Sequence, residues 1–198
     1  MADTEIAQMQ RLESPYTVRL IGTFQNQDSM CIVLEFCQNG DLRKVIADLQ
    51  KLPEAERLMK VWELLSQIAL AANHLHSNNV IHRDIKPENI FVMEDGSVRL
   101  GDFGLLKDLT NQNYATVVGT KVYHAPEVFK QKRMTFESDV FAIGNIIFEL
   151  LTGKHPFDAK TEQEIIQKIV RYDVAKLPLS ISRDFNLLYY LSFVLVCN

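Results

Sequence analysis

Between Glu54 and Ser77 apolar residues recur at three- and four-residue steps: Leu58, Val61, Leu65, Ile68, Ala72 and Leu75. That spacing follows the 3.6-residue turn and predicts a long core helix, ended by Ser77-Asn78-Asn79. Ser138–Thr152 predicts a second helix, apolar nearly all round (Val140, Ile143, Ile146, Ile147, Leu150), and therefore buried. Asn145 and Glu149 within it argue against a membrane span, and Gly153 suits the left-handed residue that follows a helix. Shorter helical patterns cover Glu5–Leu12, Glu162–Val170 and Arg183–Cys197. Ser14-Pro15 ends the first of these, because the residue before a proline disfavours the helical region. Two β-rich runs, Thr17–Phe24 and Met30–Phe36, flank the polar stretch Gln25–Ser29 and predict an antiparallel hairpin. A second hairpin is predicted from Asn89–Met93 and Ser97–Leu100, joined through Glu94-Asp95-Gly96. Asn39-Gly40-Asp41 reads as a turn with Asp41 capping the next helix. Residues 102–127 show no clear period, which points to a functional loop. The fold class that emerges is α+β: a small strand-containing part followed by a mostly helical lobe.

Composition narrows this further. The chain has 198 residues, 47% of them apolar and 23% charged, with a formal net charge of −4. That is the profile of a soluble globular protein, and the absence of a long Lys/Arg run argues against nucleic-acid or membrane-surface binding. Three cysteines (Cys31, Cys37, Cys197) are not a disulfide framework, so an intracellular, cytoplasmic setting is expected. The start, MADTEIAQMQ, lacks the basic and apolar regions of a signal peptide. The apolar run Leu187–Cys197, broken only by Ser192, is too short to span a bilayer. His74 and His76 have no matching Cys/His set for a zinc site.

The chemistry concentrates in three ordered clusters. His82-Arg83-Asp84-Ile85-Lys86-Pro87-Glu88-Asn89 lies between the long helix and the second hairpin. Asp102-Phe103-Gly104 follows that hairpin, and Gly119-Thr120 then precedes Ala125-Pro126-Glu127. In this order and context the sequence resembles the eukaryotic protein kinases over nearly the whole chain, with Lys86 pointing to the serine/threonine branch. Cys37-Gln38-Asn39-Gly40-Asp41-Leu42, Leu100–Leu105 and Thr116–Thr120 are most similar to the NIMA-related (never-in-mitosis-A) kinases, from which His124 and Lys121 depart.

The resemblance implies a division of labour. Asp84 would orient the substrate hydroxyl and accept its proton, and Lys86 would stabilise charge on the transferring phosphoryl group. Asn89 and Asp102 would ligate Mg²⁺. Glu35 and Cys37 would offer backbone groups to the adenine of ATP, with Leu34 as gatekeeper and Phe91 as the pocket floor. Met9, Leu20, His82 and Phe103 match the stacked apolar spine. Glu5 takes the place of the helix glutamate that pairs with an ATP-contacting lysine, on an αC-like helix. Thr116 would be a phosphosite whose phosphate recruits Arg83, and Thr120 would contact Asp84 and Lys86. Asp139 would anchor the catalytic-loop backbone, and Phe141 replaces a common tryptophan.

Two parts of a complete kinase are absent from this sequence: a GxGxxG loop, and a lysine ahead of Glu5. The expectation is a partial kinase domain shortened at both ends, with residues 1–36 as a residual small lobe and 37–198 as an incomplete large lobe. The run at 187–197 is expected to depart from the family frame and to carry an aggregation risk. Two functions follow: transfer of the γ-phosphoryl group of Mg-ATP to protein Ser/Thr hydroxyls, or a non-catalytic kinase-like chain that binds partners or competes with a full-length kinase.

Overall fold

A computed structural model describes residues 2–27 and 29–194. Helix α1 (Ala2–Arg11) opens the chain. It buries Met9, and Leu12 just beyond it, against the lobe that follows. Strands β1 (Leu20–Asn26) and β2 (Ser29–Leu34) pair antiparallel, with Asn26 opposite Ser29. The hairpin is tighter than the polar pattern suggested, since Gln25 and Ser29 are strand residues. Thr17 is not part of it: Thr17 bridges to Leu100, and Val18 N–H donates to Leu100 O at 2.9 Å. That short parallel contact fastens the small part of the molecule to the helical lobe.

The lobe begins with α2 (Leu42–Leu49), capped by Asp41, whose carboxylate accepts from the amides of Arg43 and Lys44. This satisfies amides that would otherwise lack partners at the helix start. Helix α3 spans Glu54–Ser77, the interval its periodicity predicts, and buries Val61, Leu65, Ile68, Ala72 and Leu75. Strands β4 (Ile90–Val92) and β5 (Val98–Leu100) form the second hairpin. One further pairing has no pattern in the sequence: β3 (Val80–Ile81) lies antiparallel to β6 (Lys107–Asp108). The region from 102 to 127 thus carries β6 and two short 3₁₀ turns before α4 (Pro126–Gln131).

Helix α5 (Phe136–Thr152) runs through the centre, starting with a Thr135/Ser138 capping box and ending at Gly153, whose φ of 73° suits glycine. It packs against α3 and against α7 (Arg183–Val194). Phe141 is fully buried between the rings of Phe157 and Phe193, so an aromatic fills that site. Helix α6 (Glu162–Arg171) carries its own capping box, Thr161/Glu164. On α7 the side chains at 185, 189 and 193 turn inward, while Leu187, Leu188, Tyr190 and Leu191 face outward. Phe185 stacks on Trp62 of α3 with centroids 4.1 Å apart. Cys197 and its neighbours from 195 lie outside the described residues. Among the described residues no helix is long and apolar enough to cross a membrane.

Candidate active site

The loop from His82 to Asn89 is held from below by one carboxylate. Asp139, 2% exposed on the first turn of α5, accepts from His82 N–H at 2.9 Å, Arg83 N–H at 3.0 Å and His76 Nε2 at 2.9 Å. Arg83 sits at φ 73°, a conformation costly for a non-glycine residue and maintained here by that anchor. His82 is fully buried; its Nε2 donates to Gly101 O at 2.9 Å while Nδ1 accepts from Asp84 N–H. This ties the loop to the segment leading into Asp102.

Asp84 receives three donors. Lys86 Nζ reaches Oδ2 at 2.7 Å, Asn89 Nδ2 reaches the same oxygen at 3.0 Å, and Thr120 N–H reaches Oδ1 at 2.7 Å. Lys86 also donates to Thr120 Oγ1 at 2.8 Å. Burial alone would push Asp84 up, but the hydrogen bonds from Lys86 and Thr120 outweigh it and hold the carboxyl below its ordinary value. Asp84 is therefore ionised at neutral pH and bears a lone pair for a proton. Gly119, at φ 93°, lets the chain pass over Arg83 and Asp84; a Cβ there would meet the Arg83 carbonyl oxygen.

Asp102 is exposed and adopts a left-handed conformation, φ 59°, with Phe103 buried beside it. Gly101 N–H donates to Asn89 O at 2.9 Å, which draws Asn89 and Asp102 together. Asn89 spends its amide nitrogen on Asp84, and its Oδ1 has no partner among the described residues, which leaves it able to ligate a cation. Two hard oxygen ligands suit a Mg²⁺ ion that takes its remaining ligands from water and phosphate. Among the described residues there is no group of three or more His, Cys, Asp and Glu placed to hold a metal ion.

A cavity of about 510 Å³ lies next to these residues, lined by Met9, Val18, Leu34, Cys37, Phe91 and Asp102 among others. Gly101 makes the close packing possible: a Cβ there would stand 2.8 Å from the Phe91 ring and 2.9 Å from Val18. Two backbone groups on its rim have no partner among the described residues. Glu35 N–H is spent on Arg19 O and Cys37 O accepts from Gly40, which leaves Glu35 C=O and Cys37 N–H. An alternating acceptor and donor on an apolar slot matches the edge of a flat amino-heterocycle such as adenine. Leu34 ends β2 at the mouth of the slot and is partly exposed. Burial raises the Cys37 thiol, aided by Glu35, so it stays protonated. Glu5 projects from α1 toward this cavity near Gly104, and no partner holds it among the described residues.

Arg83 extends the other way. Its Nε donates to Leu105 O at 2.6 Å, and Nη1 reaches Thr116 O at 3.1 Å and Thr116 Oγ1 at 3.3 Å. The loop around Thr116 is pinned further by a two-way backbone pairing of Ala115 with Met134. Leu34, Glu35, Cys37, Phe91, Asp102 and Glu5 thus lie at the slot, Lys86, Asn89 and Thr120 gather on Asp84, and Arg83 meets Thr116; Phe141 lies apart from all three, packed on Phe157 and Phe193.

One group escaped sequence reasoning. Arg43, on α2, donates from Nε and Nη2 to Glu88 Oε1, both at 3.0 Å, from Nη1 to Glu149, and from Nη2 to Tyr123 Oη at 2.7 Å. Tyr123 O–H in turn donates to Glu149 Oε1 at 2.6 Å. Burial raises Glu149, opposed by Tyr123 and Arg43. The partners lie 45, 80 and 106 positions from Arg43, so no local signal could announce the cluster.

Comparison with known proteins supplies the remaining evidence. The family model described as "Protein kinase domain" matches residues 1–190. The start of the apolar run at 187 therefore falls within the family frame. The chain is 33% identical over 185 residues to the serine/threonine-protein kinase Nek5 of Homo sapiens, covering 92% of this chain and 26% of that protein. It is 35% identical over 169 residues to the serine/threonine-protein kinase Nek1 of Mus musculus, covering 84% and 14%. It is 36% identical over 174 residues to the G2-specific protein kinase nim-1 of Neurospora crassa, covering 74% and 20%. The chain therefore spans about a quarter or less of each of these relatives.

Proposed function

Because the chain belongs to the protein kinase family, we propose that it transfers the γ-phosphoryl group of Mg-ATP to Ser or Thr hydroxyls of protein substrates. One arrangement carries the reading: an ionised Asp84, held by Lys86, Asn89 and Thr120, next to Asp102 and an apolar slot with an unpaired carbonyl and amide on its rim. Asp84 positions the substrate hydroxyl and takes its proton as the oxygen attacks. Lys86, whose ammonium sits 2.7 Å from Asp84, offsets the charge that develops on the transferred group. Mg-ATP, when bound, supplies the phosphoryl group and the divalent charge. Asn89 Oδ1 and the Asp102 carboxylate would hold its metal, and Glu35 C=O and Cys37 N–H would hold its base in the slot lined by Phe91. Phosphoryl transfer asks for positioning and charge neutralisation more than covalent chemistry, which suits a site of fixed dipoles and no strong nucleophile.

The test is incorporation of labelled phosphate from ATP into Ser/Thr peptides by the purified chain, with Asp84→Asn alongside. Transfer by the chain, and its fall by about 10²-fold or more in the variant, is expected for loss of a general base. No transfer, or transfer undiminished in Asp84→Asn, overturns the proposal. A Mg-ATP-dependent rise in unfolding temperature without transfer would favour the non-catalytic, competing role instead.

A further inference from the structure

Arg43 lines a cleft beside the residues that hold Asp84. A cavity of about 500 Å³ is lined by Arg43, Lys86, Asn89, Thr120, Glu149 and His155 among others. The head of Arg43 thus faces the same space as the residues that hold Asp84.

Its surroundings form a guanidinium receptor. Glu88 accepts two N–H bonds on one oxygen, Glu149 accepts another, and the Tyr123 oxygen accepts a fourth. Planar, forked donors facing carboxylates are the geometry that distinguishes arginine from lysine. The receptor is open at one end: the side chains of Arg43 and Glu88 are 44% and 45% exposed, while that of Glu149 is 2% exposed. A buried carboxylate left without its cation is costly, so the cleft favours a guanidinium in place. In this chain the guanidinium comes from the protein itself. A substrate arginine would have to displace one that is tethered and hence always at high local concentration.

We propose that Arg43 is a specificity-determining residue: it fills, in cis, a two-carboxylate arginine site beside the catalytic loop, so that substrates are taken without a basic side chain at that position. The inference rests on the kinase reading for the word substrate, but not for the binding event it describes. Without Arg43, Glu88 and Glu149 would face the peptide and select arginine. A role confined to holding α2 against α5 would leave peptide preference unchanged.

The experiment is equilibrium binding by fluorescence anisotropy of Ser/Thr peptides in which one arginine is stepped through the flanking positions, each compared with its neutral parent. The full chain and Arg43→Met, which keeps the apolar stem, are measured together with Arg43→Met/Glu149→Gln. The chain itself should bind arginine and neutral peptides with affinities within about threefold. Arg43→Met should gain roughly tenfold for arginine at one position, the size of one hydrogen bond to a charged group, and the double variant should lose that gain. A tenfold arginine preference in the unaltered chain overturns the proposal even where Arg43→Met does not fold. So does a flat profile in folded Arg43→Met, a gain that survives Glu149→Gln, or no binding of any peptide. Labelled-phosphate incorporation by the same samples reports separately on phosphoryl transfer, so failure of the kinase reading is distinguishable from failure of this one.

Discussion

Replacing Asp139 by alanine should undo the loop from His82 to Asn89. The carboxylate accepts from two backbone amides and one imidazole, at 2.9 to 3.0 Å, from within a site that is 2% exposed. Each buried donor left unpaired costs about 1–3 kcal/mol. Three of them would sum to roughly 3–9, but they share one acceptor and their losses do not add. The released Arg83 can also relax from its left-handed conformation, recovering part of about 1–3 kcal/mol. A net loss of about 3–5 kcal/mol is expected, a large share of the 5–15 kcal/mol that typically holds a domain together. Asp139→Asn keeps one oxygen but turns a second donor toward the amides, and should fall between. Urea unfolding measures the loss, and hydrogen exchange at the amides of His82 and Arg83 locates it. A loss below about 1 kcal/mol in Asp139→Ala, with both amides as protected as before, would refute the assignment of Asp139 as the anchor.

Three further outcomes can be checked. Gly119→Ala places a methyl group against the Arg83 carbonyl and 3.0 Å from Asp84 Oδ1 at a φ of 93°; it should cost at least about 1 kcal/mol in thermal unfolding and abolish phosphoryl transfer by displacing Thr120 from Asp84. Phosphate on Thr116 would arrive beside Arg83 Nη1, now 3.3 Å from the hydroxyl; hydrogen exchange across 105–120 should slow and transfer should rise, and Thr116→Ala should prevent both. If the alanine variant keeps the wild-type exchange pattern and rate, Thr116 is not the switch. His155 is depressed to about 4, first by burial and then by the charge of Arg43. The unfolded chain, with an ordinary histidine, binds the proton first on acidification. The stability His155 contributes is therefore complete above about pH 6.5 and lost as pH falls toward 4, by roughly 3 kcal/mol. Urea unfolding at pH 7 and pH 4.5 should show a smaller acid loss in His155→Phe than in the unaltered chain; equal losses would show that the imidazole is not buried neutral.

Sequence and structure divided the work according to the range of the interactions. Helix α3 was legible to the residue because its period and its ends are local properties. The cap at Asp41 and the turn at 94–96 were legible for the same reason. The Asp84, Lys86, Asn89 and Asp102 set was legible because its members stand in a recognisable order along the chain, though their mutual contacts were not. The hairpin ends were misjudged: polar Gln25 and Ser29 pair with Met30 and Asn26 because, on a strand mostly open to solvent, a polar side chain costs nothing. The β3–β6 pairing was invisible, since two residues on each side are too few to show a period. The run from Leu187 onward is apolar but for Ser192, and only packing on α5 chose the face at 185, 189 and 193.

By itself, then, the sequence determined the long helices, the turn chemistry and the inventory of reactive groups, all of which depend on residues a few positions apart. Tertiary structure decided where charges meet: that Asp139 gathers three donors from α3 and the loop at 82–83, and that Arg43 reaches Glu88, Tyr123 and Glu149 across as many as 106 positions. A buried carboxylate must find its partner somewhere in space, and spacing along the chain does not say where.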